Sequence, residues 1–319
     1  MGAVHLTDSS EFAVGLGSVA IDIIGKVDEL PKEDGFCVVT EQQLLDGGSC
    51  ANVMTQMAHL GVPAGLVARL GDDDTGVKIT KGLDKYGVNT SWMLTKPGGT
   101  SLTTHIYVDP YGSKTIVLYM GDSLMSLEFD DLDLSFLDSC KVFYTDLFPP
   151  RPAVAVAEVA KQKRIPVVFN MQVGWSLMEA FGADRNLIRE MLRCTDVFAP
   201  CQAGAFELVG VDDPVDCIAR LRTAFDYEGV IILTLGAKGS LIEYGGQLAK
   251  IPAYQVSVLD TTGAGDSFIG AFMYAHYYAG FDLDKAGRFA AASAALTCTR
   301  IGARATPTLE EVNAFGEWR

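Results

Sequence analysis

At 319 residues, 49% apolar and 20% charged, the chain has the length and balance of a globular protein that folds as one large α/β domain or two unequal ones. No apolar run approaches the ~18 residues needed to cross a bilayer, and residues 1–11 are polar and acidic, so neither a membrane span nor a secretory signal is expected and no membrane is a partner. A formal charge of −15 repels phosphodiester backbones, which excludes nucleic acid as a partner; an anionic ligand has to be held by local amide dipoles, a metal and a few cations.

In chain order, 12–17 and the isoleucine-rich 19–27 read as extended, as does 36–45. Asp46-Gly47-Gly48-Ser49 is a turn into a helix over roughly 51–60, closed by Gly61 and Pro63. A strand over 62–71 and a helix over 75–86 follow. Segments 101–109 and 114–120 flank Pro110-Tyr111-Gly112 as a hairpin. Beyond it, strands at 142–144, 167–170, 197–199 and 230–235 alternate with helices at 152–162, 184–194 and 214–224. That alternation predicts a mostly parallel sheet with helices on both faces. A single α/β domain spanning 1–319 is expected, with a small β lid made of two insertions, about 23–45 and 101–120. The exposed edges of such a lid suit a homodimer formed through it.

The seven cysteines are scattered and form no Cys-x-x-Cys, which fits a reducing, cytoplasmic setting and argues against a disulfide framework or a zinc site. The four histidines are far apart and receive no role. Gly15-Leu16-Gly17-Ser18-Val19-Ala20 matches Gly-x-Gly-x-x-Ala, but the β-branched stretch after it predicts a strand where a dinucleotide site needs a helix. Gly236-Ala237-Lys238-Gly239-Ser240 resembles a P-loop only superficially.

Two segments carry chemistry. In Gly47-Gly48-Ser49-Cys50-Ala51-Asn52 the glycines let a ligand approach the backbone, and Asn52 has a donor and acceptors suited to a polyol; a plain glycine turn is the competing reading. In Leu259-Asp260-Thr261-Thr262-Gly263-Ala264-Gly265-Asp266 the glycines direct amides into one concavity at a helix start, an anion hole that favours the charge of a transferring phosphoryl group. Asp266 beside it would take a proton from an attacking hydroxyl. Its competing role is a first-turn acid on the helix dipole. The following helix, 267–279, buries Phe268, Ala271, Phe272 and Ala275. The alanine-rich helix 283–299 either packs closely on a neighbour or leaves room for a flat ring.

These segments, in this order, resemble the ribokinase-like sugar kinases, the phosphofructokinase-B family, over nearly the whole chain. Asp260 to Phe268 resembles its second signature. Gly47-Gly48-x-x-x-Asn52 with Gly71-Asp72-Asp73-Asp74-Thr75-Gly76 resembles the first, Thr234-Leu235-Gly236-Ala237-Lys238-Gly239 its nucleotide-contacting loop, and Gly17-Ser18-x-x-x-Asp22 its opening strand. The resemblance implies a ribokinase-like three-layer sandwich and transfer of the γ-phosphoryl of ATP, with Mg2+, to a primary hydroxyl of a sugar or nucleoside. Asp266 would be the base, and Gly263, Ala264 and Gly265 the anion hole. Asp22, Gly47, Gly48, Asn52 and Asp146 would hold the acceptor, and Thr234, Gly236 and Gly239 the nucleotide. Asp260, Thr262 and Thr306 match where relatives bind K+. Two departures stand out. The family's Asn-x-x-Glu after a late proline is here Cys201-Gln202-Ala203-Gly204, with Glu207 one turn on as the candidate substitute. Ser49 stands where ribokinase has lysine. The departures motivate an alternative reading as a catalytically weak sugar- or nucleotide-binding protein on the same fold.

Overall fold

Strands that are apolar at nearly every position have to be covered on both faces. β9 (Cys140–Thr145) is of this kind: Val142 and Tyr144 point into one core, and Phe143 between them into the other. The same alternation runs along β10 (Val167–Met171), where Val168 faces the first core and Val167 and Phe169 the second. The computed structural model describes residues 11–316; the stretch read as no secretory signal lies, apart from Glu11, outside the described residues.

The larger sheet adds β1 (Phe12–Leu16), β4 (Ala64–Val67), β11 (Val197–Pro200), β12 (Val230–Thr234), β13 (Ser240–Tyr244) and β14 (Gln247–Ile251). Its order is β14-β13-β12-β11-β10-β9-β1-β4, parallel from β4 to β12, with β13 and β14 antiparallel at the edge. One face is covered by α1 (Ser49–His59), α2 (Asp74–Lys85), α8 (Ala264–Met273), α9 (Leu283–Cys298) and α10 (Leu309–Phe315). The other carries α3 (Pro150–Gln162), α4 (Trp175–Ala180), α5 (Arg185–Cys194), α6 (Gln202–Val209) and α7 (Pro214–Phe225). A second sheet orders β3 (Val39–Gly47), β2 (Ala20–Val27), β7 (Thr103–Val108) and β8 (Lys114–Tyr119), and β5 (Arg69–Gly71) pairs with β6 (Leu94–Lys96).

The order in which successive strands are added to the large sheet reverses between β1 and β9, and the crevice above such a point is where open α/β sheets bind ligands. Ser18 after β1, Asp146 after β9 and the start of α1 meet there.

Several elements differ from the sequence reading. The expected strand 62–71 breaks at Ala68 into β4 and β5, which pair in different sheets; an apolar run does not report a change of partner. The strand read at 36–45 starts later and runs on through Gly47, so the turn narrows to Gly48. Helix α8 begins at Ala264, three residues early, and gives way to a π-helical turn at Tyr274–Tyr278. The β13–β14 hairpin, β6, α4, α6 and α10 escaped the sequence reading. Gly15 to Ala20 links strand to strand without a helix, as expected.

Gly48 adopts φ 90, and a Cβ there would stand 2.5 Å from the Val19 Cα and 2.7 Å from the Ser18 carbonyl oxygen. Gly48→Ala should therefore destabilise the fold by about 2 kcal/mol or more, read as a lower urea midpoint at unchanged m-value.

Candidate active site

Asp266 is the third residue of α8 and is only 8% exposed. Its carboxylate is held by three neutral donors from two other elements. Ser49 Oγ donates to Oδ1 at 2.7 Å, Gln172 Nε2 to Oδ1 at 3.1 Å, and Asn52 Nδ2 to Oδ2 at 2.8 Å. Burial pushes the carboxyl up to about 7; the Asn52 and Ser49 hydrogen bonds oppose this, and the charges of Asp146 and Asp22 add to it. A carboxyl that titrates near neutrality can hold or release a proton under working conditions.

On one side of Asp266 lie the residues expected to hold an acceptor. Asn52 is buried in the first turn of α1. Asp22 packs against the Gly47 Cα so closely that a Cβ there would approach its carboxylate to 2.5 Å. Burial raises the Asp22 carboxyl, Thr104 and Arg304 pull it down, and Asp46 adds to the rise. Asp146 departs from its expected role. Its carboxylate accepts from the Ser18 and Cys50 amides at 3.1 Å, from Ser18 Oγ, and from the Phe148 amide at 3.3 Å. With its lone pairs so engaged and 1% exposure, it is a strut across the β1–β9 crevice and has no capacity left for a sugar hydroxyl. Burial raises it to about 6, against those hydrogen bonds.

On the other side, Gly263 adopts φ 76 as the N-cap of α8. Among the described residues, nothing accepts from the Gly263 or Gly265 amide. Ala264, expected to share in the anion hole, instead donates to the Thr261 carbonyl at 3.2 Å, because closing the turn uses that N–H. Gly265 borders a cavity of about 380 Å³ whose lining also includes Thr234, Gly236 and Gly239. Its far wall is Ala291, Ala294, Ala295 and Cys298 of α9. Ala286 and Ala290 of that helix pack in the core, while Ala291, Ala294 and Ala295 line the cavity.

The candidate cation ligands do not form one cage. Asp260 Oδ1 accepts from the Thr262 amide and hydroxyl, and Oδ2 from the Gly302 amide at 3.0 Å. Thr306 lies elsewhere: its hydroxyl contacts His59 Nδ1 at 2.8 Å, and its carbonyl meets His59 and the Arg300 guanidinium. A guanidinium at that carbonyl repels a cation, so Thr306 is withdrawn as a ligand. Glu207 caps α4 through the Ser176 amide at 3.1 Å and hydroxyl at 3.3 Å, which corrects its reading as a substitute for the missing glutamate. Among the described residues no three acids, histidines or cysteines gather as a metal site.

Residues 10–310 match the pattern of the pfkB family carbohydrate kinases. The chain belongs to that family. The kinase is 29% identical over 304 residues to the ATP-dependent ribose-1-phosphate kinase of Halopiger xanaduensis, covering 94% of this chain and 96% of that one. It is 29% identical over 309 residues to the deoxyribokinase of Salmonella typhi, covering 94% and 97%. The Arabidopsis thaliana ribokinase solved with ribose and ATP superposes with a TM-score of 0.82 at 24% identity, over 96% of this chain and 98% of that one. The ribokinase-like three-layer fold expected from the sequence is the observed one, and the protein is a phosphotransferase acting on a sugar.

Ser49, Gln172 and Arg304 were missed as site residues. Ser49 was visible only as a replacement for lysine, and Gln172 follows β10 with no motif to mark it. Arg304 lies two residues before Thr306 with no motif to mark it.

The Asp266 carboxyl titrates at about 7 in the fold against 3.8 unfolded. Its neutral form is favoured by the fold, so its contribution to stability is complete below 3.8 and is lost as pH rises towards 7. Asp266→Asn removes the charge. Its melting temperature relative to wild type should rise steadily between about pH 4 and pH 8, as read by calorimetry across that range.

Proposed function

We propose that this kinase transfers the γ-phosphoryl group of ATP to a primary hydroxyl of a sugar or nucleoside, with Asp266 as general base. One observation carries the reading: the same carboxylate faces Asn52 and Asp22 on one side and, through its own helix start, the Gly265 amide at the nucleotide-sized cavity on the other. The acceptor hydroxyl oxygen attacks the γ-phosphorus as the bond to ADP breaks, and its proton passes to Asp266. The amides of Gly263 and Gly265 and the helix start offset the charge on the transferring group. Asp22, Gly47, Gly48 and Asn52 position the acceptor, and Thr234, Gly236 and Gly239 border the nucleotide. Mg2+ enters with the triphosphate as part of the cosubstrate and neutralises phosphate charge there. The names of the relatives, a ribose-1-phosphate kinase and a deoxyribokinase, favour a pentose or pentose derivative as acceptor. The residues around Asp260 and Thr306 do not fit K+, and no step is assigned to that ion.

The four-stranded sheet acts as a lid on a single kinase domain and excludes water from the acceptor. Its edge strand β8 exposes Ile116, Val117, Leu118 and Tyr119, which suits pairing with a second copy through the lid. Cys201 and Gly204 in place of the family's Asn-x-x-Glu, with Glu207 committed to α4, favour a second reading, a weakly catalytic binding protein.

The test is ADP release with magnesium–ATP and a panel of ribose, deoxyribose, ribose-1-phosphate, other sugars and nucleosides. Turnover on one class is expected, and Asp266→Ala should lower kcat by about 10²–10⁴-fold. Ligand-induced thermal stabilisation with no turnover on any acceptor would leave the binding protein. Because the base works ionised, activity should fall as pH drops below about 7. Ala294→Phe, which fills the slot wall, should raise KM for ATP while leaving acceptor binding and the melting temperature close to wild type.

A further inference from the structure

Arg304 is 2% exposed in a protein of net charge −15 and belongs to no regular element. Burying a guanidinium is costly unless its charge and donors are used. Nη2 donates to the Gly47 carbonyl at 2.8 Å, and Nε donates to Asn52 Oδ1 at 3.2 Å. Nη1 has no hydrogen-bond acceptor and faces Asp46 Oδ1 at 3.6 Å.

The Asn52 contact has a chemical consequence. A guanidinium carries only donors, so the Asn52 atom facing it has to be the oxygen. The Asn52 NH2 group then faces the other way, where it meets Asp266 Oδ2 at 2.8 Å. The flipped amide would set NH2 against guanidinium and oxygen against carboxylate, which is unfavourable at both ends. We propose that Arg304 is a positioning residue for phosphoryl transfer: it locks the Asn52 amide so that its NH2 group holds Asp266 Oδ2 and fixes the base beside the acceptor.

The proposal rests on Asp266 being the base. Among the described residues, Oδ1 accepts from Ser49 and Gln172 and Oδ2 from Asn52 alone, so the Asn52 amide sets what Oδ2 meets. Charge acts in the same direction as geometry. Around Asp266 stand Asp146 after β9, Asp22 on β2, the Cys50 thiol and the Tyr144 hydroxyl, none of which brings positive charge. Around Arg304 stand Asp46, Tyr86, Asp22 and Asp266, and its cavity is also lined by Lys78 and Lys85. Arg304 is thus the buried cation that favours the ionised base.

The experiment combines Arg304→Gln, which removes the charge, and Arg304→Lys, which keeps it without the planar fork. Asp266 is followed by its 13C carboxyl signal through a pH titration of the substrate-free protein, assigned with Asp266→Asn. Arg304→Gln should raise the Asp266 midpoint and the acidic limb of kcat together by about one unit, and lower kcat by about tenfold or more. KM for ATP should stay within about threefold. Arg304→Lys should move the midpoint less. In an Asn52→Ala background, Arg304→Lys should add almost nothing to the loss in kcat, because both act through one contact. An unmoved Asp266 midpoint in Arg304→Gln, or additive losses in the double variant, overturns the proposal. If Arg304→Gln does not fold, Arg304→Lys and the double variant decide alone. Full activity in Asp266→Asn would overturn the base reading instead, while the carboxyl titration would still report whether Arg304 sets the state of Asp266.

Discussion

A carboxylate taken out of water has to be met by hydrogen bonds, or it surrenders its charge. Asp266 meets that demand with Ser49 and Asn52 from the start of α1 and Gln172 from the end of β10. These donors converge only because α1 begins directly above the β1–β9 crevice. The Asp146 strut holds it there by binding the Cys50 amide on α1 and Ser18 after β1. Gly48 permits the same approach, since any side chain would strike Val19. The fold delivers a carboxyl poised between its two protonation states, and this is the property that proton transfer at neutral pH needs.

An acidic protein that handles a polyanionic donor has to create positive potential locally. The overall field works against it, and among the described residues no lysine or arginine lines the cavity beside α8. Glycine does the work instead. Gly263 in the left-handed region starts α8 abruptly, and the amide of Gly265, which lines the cavity, is left without an acceptor among the described residues. Amides fixed in the fold need no reorganisation as charge develops, so a few dipoles can replace a cluster of cations. Arg304, buried near the site, is spent on the acceptor side, among Asp22, Asp46 and Asp266.

Much of the architecture was legible from the chain. Alternation of apolar strands with helices implied the parallel sheet, and the two glycine-rich helix starts marked both halves of the site. Thr234, Gly236 and Gly239 do gather at one cavity with Gly265. Asp146 misled, because a carboxylate at a strand end reads alike whether it faces ligand or spans a crevice. Thr306 misled for the same reason: nothing near it in the chain announces His59 as the partner of its hydroxyl.

Short-range chemistry is written within a few residues, as the period of burial, a backbone φ that only glycine tolerates, or an acid placed in the first turn of a helix. Those features determined the fold class, the helix starts and the candidate base. The orientation of Asn52 depends on Asp266, 214 residues away, and on Arg304, 252 residues away. Such contacts follow from strand order and from which loops close over the crevice, and neither composition nor periodicity carries that information. The tertiary structure alone decided which polar group faces which, and with it which carboxylate spans the crevice and which sits at the start of α8.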